Sequence, residues 1–143
     1  MDTSTLPRAD YSDTFDTSAE RFHPAEAWAR AAFEPASLTD PRQLVWRGVL
    51  RLRLGPLDDP GRVAGWEVVE RTDRRLVLAA DAWHLSGRLV FEAQEDGARV
   101  TTRVTYRNPL GRLAWSGVAP VHRRAVPEIL AAAQRRLEAA GPG

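Results

Sequence analysis

The 143-residue chain has no cysteine and no lysine. Without cysteine there is no disulfide framework, no thiolate nucleophile and no sulfur-ligated metal. Without lysine there is neither a Schiff-base amine nor a lysine general base, and all twenty basic side chains are arginines. Histidine is scarce too. His23, His84 and His122 stand far apart, in no HxH or HxxxH spacing, so no metal site is expected. No run of about 18 apolar residues occurs, so no transmembrane helix is expected. The N-terminus, Met1 to Arg8, lacks the basic-then-apolar layout of a secretory signal, and a cytoplasmic location is the default. GxSxG, GxGxxG, the phosphate-binding loop and HExxH are all missing. Acyl transfer from an elbow serine, dinucleotide binding and metallohydrolysis therefore have no support, and no cofactor is expected.

Charge is balanced at a net +1, with acids and bases interspersed. Arg123, Arg124, Arg135 and Arg136 make the last helical stretch basic, but there is no basic stripe interleaved with stacking aromatics. The arginines read as a solvated helix face and not as a nucleic-acid surface. Apolar residues make up 43% of the chain, ordinary for a soluble domain. The length suits one domain, placed at residues 10–140 behind a disordered tail at 1–9.

Residues Asp10 to Thr17 alternate, with Tyr11, Asp13 and Phe15 on one face, which predicts a strand. The Asp10, Asp13, Asp16 spacing lacks the glycine and terminal glutamate of a calcium loop, so these are read as a strand's acidic edge. Pro24 opens a helix over Ala25 to Glu34, stopped by Pro35. A second helix is expected over Pro41 to Leu54, with Val45, Val49 and Leu52 on one stripe flanked by Trp46 and Leu50. Asp58-Asp59-Pro60-Gly61 is a turn cluster.

From Trp66 the period becomes two. Strands are predicted at Trp66–Arg71, Leu76–Asp81, Trp83–Gln94 and Ala98–Arg107, joined by turns at Thr72-Asp73 and Glu95-Asp96-Gly97. Trp83, Leu85, Gly87, Leu89 and Phe91 share one face, opposite His84, Ser86, Arg88 and Glu92. Val100, Thr102, Val104 and Tyr106 share another. Such strands form an antiparallel sheet with one apolar and one wet face. Asn108 caps a long helix begun by Pro109. Its seam runs through Trp115, Val118, His122, Ala125, Ile129 and Ala132. Pro120 and Pro127 each remove a backbone bond and clash with the carbonyls of Ser116 and Arg123, so a kink or break is expected at both. A helix bent in this way leans off the sheet and leaves volume between them.

Strand, two helices, antiparallel strands and a long C-terminal helix: this order resembles the helix-grip fold of the SRPBCC superfamily. That group includes START lipid-transfer domains, pollen-allergen-like proteins and polyketide cyclases or aromatases. The resemblance implies an α+β helix-grip fold, a curved antiparallel sheet wrapped around a long kinked helix. Glu70-Arg71-Thr72-Asp73, Asp81-Ala82-Trp83-His84-Leu85, Gly111-Arg112-Leu113-Ala114-Trp115 and Pro120-Val121-His122-Arg123 are similar to one uncharacterised bacterial branch. That branch is a domain of unknown function sometimes fused to epimerase-like domains, and the likeness covers about Ala9 to Ala140. The superfamily has more strands than periodicity finds here. Either a short one lies between Leu57 and Val69, or part of the second helix is misassigned.

The expected function is binding of a small hydrophobic or aromatic molecule in a cavity between sheet and helix. The alternative is a cofactor-free cyclase, dehydratase or isomerase of a natural-product pathway. His122, on the apolar seam two residues after a proline, is the candidate acid/base or hydrogen-bond donor. A structural histidine bonded to nearby backbone is the competing reading. Tyr106 is its candidate polar partner, or a half-buried aromatic at the rim. Candidate ligand contacts are Trp46, Trp83, Leu85, Phe91, Thr102, Val104, Trp115 and Val118, with plain core packing as the other account of the tryptophans. His84 is read as facing away from the apolar side, as a structural residue or an outer partner of Asp81. Paired carboxylates are not seen on the inner face, and acidic residues fall in turns and at edges.

Overall fold

The computed structural model describes residues 9–34, 40–57 and 59–139. Apart from Ala9, the expected disordered tail lies outside these residues, as do Pro35, Asp58 and the expected domain end at Ala140. Six strands, β1 Tyr11–Ser18, β2 Arg62–Val63, β3 Trp66–Arg71, β4 Arg75–Asp81, β5 Leu85–Gln94 and β6 Gly97–Tyr106, form one curved antiparallel sheet. Its order is β1-β6-β5-β4-β3-β2. β3 to β6 follow the chain as a meander, and β1 joins the far edge beside β6, Asp13 opposite Thr102. A bulge between Val68 and Glu70 shifts the β3–β4 register. The chain is thus α+β, with short helices after the first strand and a long C-terminal helix packed on the sheet. Among the described residues no helix is long and apolar enough to cross a membrane.

Helix α1, Ala25–Phe33, buries Ala25, Trp28, Ala29, Ala32 and Phe33, the one-sided spacing of an amphipathic helix. Pro24 is its cap and not its first residue, and the Ala25 N–H donates to the Asp73 carbonyl at 2.8 Å. Arg30 pairs on the outer side with Glu26 and Glu34.

The second helix is shorter than its periodicity suggests. Helix α2 covers Pro41–Gln43, capped by the Asp40 carboxylate, and runs into a π-helical segment, Leu44–Val49. Arg51 at φ 56° ends the helical run. Beyond it the backbone turns to sheet partners, with the Arg53 N–H on the Asp81 carbonyl and the Gly55 N–H on the Gly65 carbonyl, both at 2.9 Å. Of the expected stripe Val45, Val49 and Leu52, Leu52 is buried beyond the helical run and Val49 is exposed, while the flanking Leu50, at the end of the π-helical segment, is buried. The missing strand is β2, and it lies in the Leu57–Val69 interval.

Helix α3 runs unbroken from Pro109 to Ala139 through both prolines. Asn108 caps it, its Oδ1 accepting from the N–H groups of Leu110 and Gly111 at 3.0 and 3.3 Å. Pro120 and Pro127 are exposed, as are Ser116 and Arg123, whose carbonyls lose their partners. Those carbonyls belong to exposed residues, where solvent can satisfy them, and neither proline breaks the helix.

Gly111 is buried in the first turn of α3, where a Cβ would overlap the His84 carbonyl oxygen, backbone with no room to retreat. Gly117 is exposed, with nothing within 4 Å. Gly117→Ala is expected to add up to about 1 kcal/mol of stability through helix propensity. Gly111→Ala is expected to lose about 1–3 kcal/mol through overpacking. Urea unfolding of the two variants checks this, and a shift of the same sign in both would refute the contact.

Candidate functional site

Between the concave face of the sheet and α3 lies a cavity of about 230 Å³. β5 and β6 supply its floor through Leu85, Leu89, Phe91, Val100, Thr102 and Val104. Strand alternation places these side chains inward and sends Ser86, Glu92 and Arg99 to the opposite face. α3 supplies the roof, with Trp115, Val118, His122, Ala125 and Ile129 on its sheet side. α1, α2 and the π-helical segment close the remainder through Phe33, Arg42, Val45 and Trp46.

Two side-chain clusters shape the wall. In the first, Phe33, Trp46, Trp66 and Phe91 meet edge to face, with ring centroids 5.3 to 5.9 Å apart. Such pairs add about 0.5–1.5 kcal/mol each beyond burial. In the second, Trp115 stands between Tyr11 and His122, at 5.1 and 5.2 Å. There His122 Nε2 lies 3.1 Å from Asp13 Oδ2, although its N–H is not well aligned for a hydrogen bond. The Tyr11 hydroxyl donates to the same Oδ2 at 2.5 Å. Asp13 Oδ1 is buried and has no partner among the described residues. Burial by itself would raise the Asp13 pKa. The His122 imidazole and Tyr11 hydroxyl outweigh it, with a smaller pull from Thr102, and hold the carboxyl below its usual range. Burial, followed by the bond to Asp13, pushes the Tyr11 phenol up.

Of the sequence-predicted positions, Trp46, Leu85, Phe91, Thr102, Val104, Trp115, Val118 and His122 all lie on the cavity wall. Trp83 and Tyr106 do not. Trp83 is 58% exposed, because β5 begins at Leu85 and alternation does not reach back into the β4–β5 turn. Tyr106 is half-buried at the last position of β6, opposite Leu85 and beyond the end of the cavity. His84, in the same turn as Trp83, is buried against the Trp83 ring and does not face water. Its carbonyl accepts from the Arg107 N–H. Asp81 pairs instead with Arg88 at 3.0 Å. His23 packs on Trp28, away from the cavity wall.

The residue that sequence reasoning missed is Asp13. It is an inward-facing carboxylate on β1, where acidic groups were expected only at turns and edges. The signal was present in its position between Tyr11 and Phe15 on the alternating face. The partner that makes it informative lies 109 positions away on α3, and only the fold joins them.

A family model described as "Protein of unknown function (DUF2867)" matches residues 1–129. The chain belongs to the DUF2867 family. No curated protein matches it. Among solved structures it is similar to the di-domain ARO/CYC BexL from the BE-7585A biosynthetic pathway, at 17% identity and a TM-score of 0.46. That match covers 94% of this chain and 52% of the other, so the chain spans about half the length of BexL.

Asp13 binds its proton more weakly in the folded than in the unfolded chain. Its carboxylate therefore contributes stability that is complete above the ordinary pKa of about 3.9 and is lost as pH falls through the lowered folded value. Asp13→Asn is expected to cost about 1–3 kcal/mol near neutrality. In urea unfolding the gap to wild type should be widest above about pH 5 and begin to narrow only as the pH falls below about 4. A gap independent of pH would show that the carboxylate's charge is irrelevant.

Proposed function

We propose that this DUF2867 protein binds a small hydrophobic or aromatic molecule in the cavity beneath α3. The observation that carries this is a 230 Å³ space walled almost entirely by apolar side chains in an otherwise packed core. Left dry, a void of that size forfeits packing on the order of 5 kcal/mol. Flooded, it sets the same walls against water. An apolar occupant removes either cost. Cavities of about 150 Å³ accept a single benzene ring, so this one suits one or two fused rings or a branched skeleton of similar bulk. The element order and the sheet gripping one long helix support placing the fold with the helix-grip domains of the SRPBCC superfamily, many of which hold apolar ligands.

Native mass spectrometry of protein purified gently from its own host, compared with the denatured mass, tests the reading. A stoichiometric non-covalent adduct is expected. Ala125→Phe, which fills the roof side of the cavity, should abolish the adduct while leaving the fold intact by circular dichroism. An adduct of undiminished occupancy in that variant would place the ligand elsewhere.

A second reading is favoured by the carboxylate beside the imidazole on the wall. An Asp13-oriented His122 suits proton transfer to or from an enolisable ligand, the chemistry of a cofactor-free cyclase, dehydratase or isomerase. If the adduct is a substrate, incubation with the protein converts it, and His122→Ala, checked to be folded by circular dichroism, slows conversion about 10²-fold or more. Chromatography coupled to mass spectrometry decides, and an unchanged ligand leaves the carrier reading alone.

A further inference from the structure

The wall of the cavity is apolar except at one corner. Of its charged residues, Arg42 spends its guanidinium on Asp40 and the Ala32 carbonyl, and Arg88 on Asp81 and the Gly87 carbonyl. That leaves His122 and Thr102, which face each other from roof and floor with Asp13 behind them. The corner is short of donors. A carboxylate has about four lone-pair sites, and here Oδ1 is buried with no hydrogen-bond partner among the described residues while the imidazole N–H points off the line to Oδ2. A ketone or ether oxygen accepts only, and would leave that deficit in place. A hydroxyl both donates and accepts, so it complements an acceptor-rich corner that also holds an imidazole.

Building on the cavity reading above, we infer that the ligand is a one- or two-ring apolar molecule bearing a hydroxyl, seated with its oxygen at the Asp13–His122–Thr102 corner. The rings lie toward Trp46, Trp66 and Phe91. His122 and Thr102 stand on the cavity wall, while Asp13 Oδ1 and His122 Nε2 are buried behind it, so the assignment requires the imidazole to rotate and admit the hydroxyl between them. A hydroxyl pushed against the rest of this wall would lose its water and gain nothing, so the corner decides whether a polar substituent helps or hurts.

Isothermal titration of the whole protein with naphthalene and with 2-naphthol tests this. Wild type is expected to bind 2-naphthol about ten-fold tighter, the scale of a hydrogen bond to a charged group. In Asp13→Asn the preference, taken as the ratio of the two affinities in that variant, should fall below about three-fold. Equal affinity for both probes, or tighter naphthalene binding, in wild type overturns the hydroxyl assignment and leaves the cavity reading standing. A preference that persists undiminished in a folded Asp13→Asn overturns it as well. If wild type binds neither probe, the cavity reading falls and takes this inference with it. Should Asp13→Asn fail to fold, the wild-type pair of titrations still decides.

Discussion

A single helix about 10 Å across cannot cover a sheet of six strands spaced about 4.8 Å apart, which is roughly 24 Å wide. The concave face here is apolar along most of its width, so something else has to finish the cover. α3 lies over β1 and β6, α1 leans on α3 and covers β4 and β5, and the π-helical segment closes the remaining gap. The cavity is what three covers of different length leave between them. Its shape follows from that shortage of cover, and each bounding element contributes one side of the wall.

The union of β1 with α3 depends on an unusual choice of residue. β1 is an edge strand, held by its ladder to β6 on one side only. Its inward side chains are Tyr11, Asp13 and Phe15, and the middle one is charged. A half-buried carboxylate is unfavourable unless partnered. Tyr11 and His122 supply the partners and tie the edge strand to the roof. The polar corner is therefore part of the construction as well as of the chemistry, and for that reason stability and ligand preference have to be read separately in any Asp13 variant.

Most of the architecture was legible from residue order. Period-two alternation located the strands of the meander to within about a residue, save the start of β5. Asn108-Pro109 marked the start of α3, whose seam from Trp115 to Ile129 does face the cavity. Errors fell where a local pattern was satisfied by a different backbone. Of the helical stripe Val45, Val49 and Leu52, Val45 and Leu52 lie inward but Val49 is exposed, because Arg51 in the left-handed region ends the helical run before Leu52. Trp83 was extrapolated from a strand that starts two residues later. At Pro120 and Pro127 the sequence predicts a kink or a break, and α3 is not broken at either, both lying on its exposed side.

Periodicity, caps and the lack of cysteine and lysine are properties of neighbouring residues and of composition. They determined the α+β class, the apolar inner face and the restriction of polar chemistry to a few histidines, hydroxyls and carboxylates. The cavity and its corner are differences between large packed surfaces and depend on contacts far apart in the chain. The 3.1 Å approach of His122 to Asp13 exists only because β1 pairs with β6 and α3 returns over both. The tertiary structure alone decided that one acidic residue of an exposed-looking strand would lie beneath the roof of a pocket.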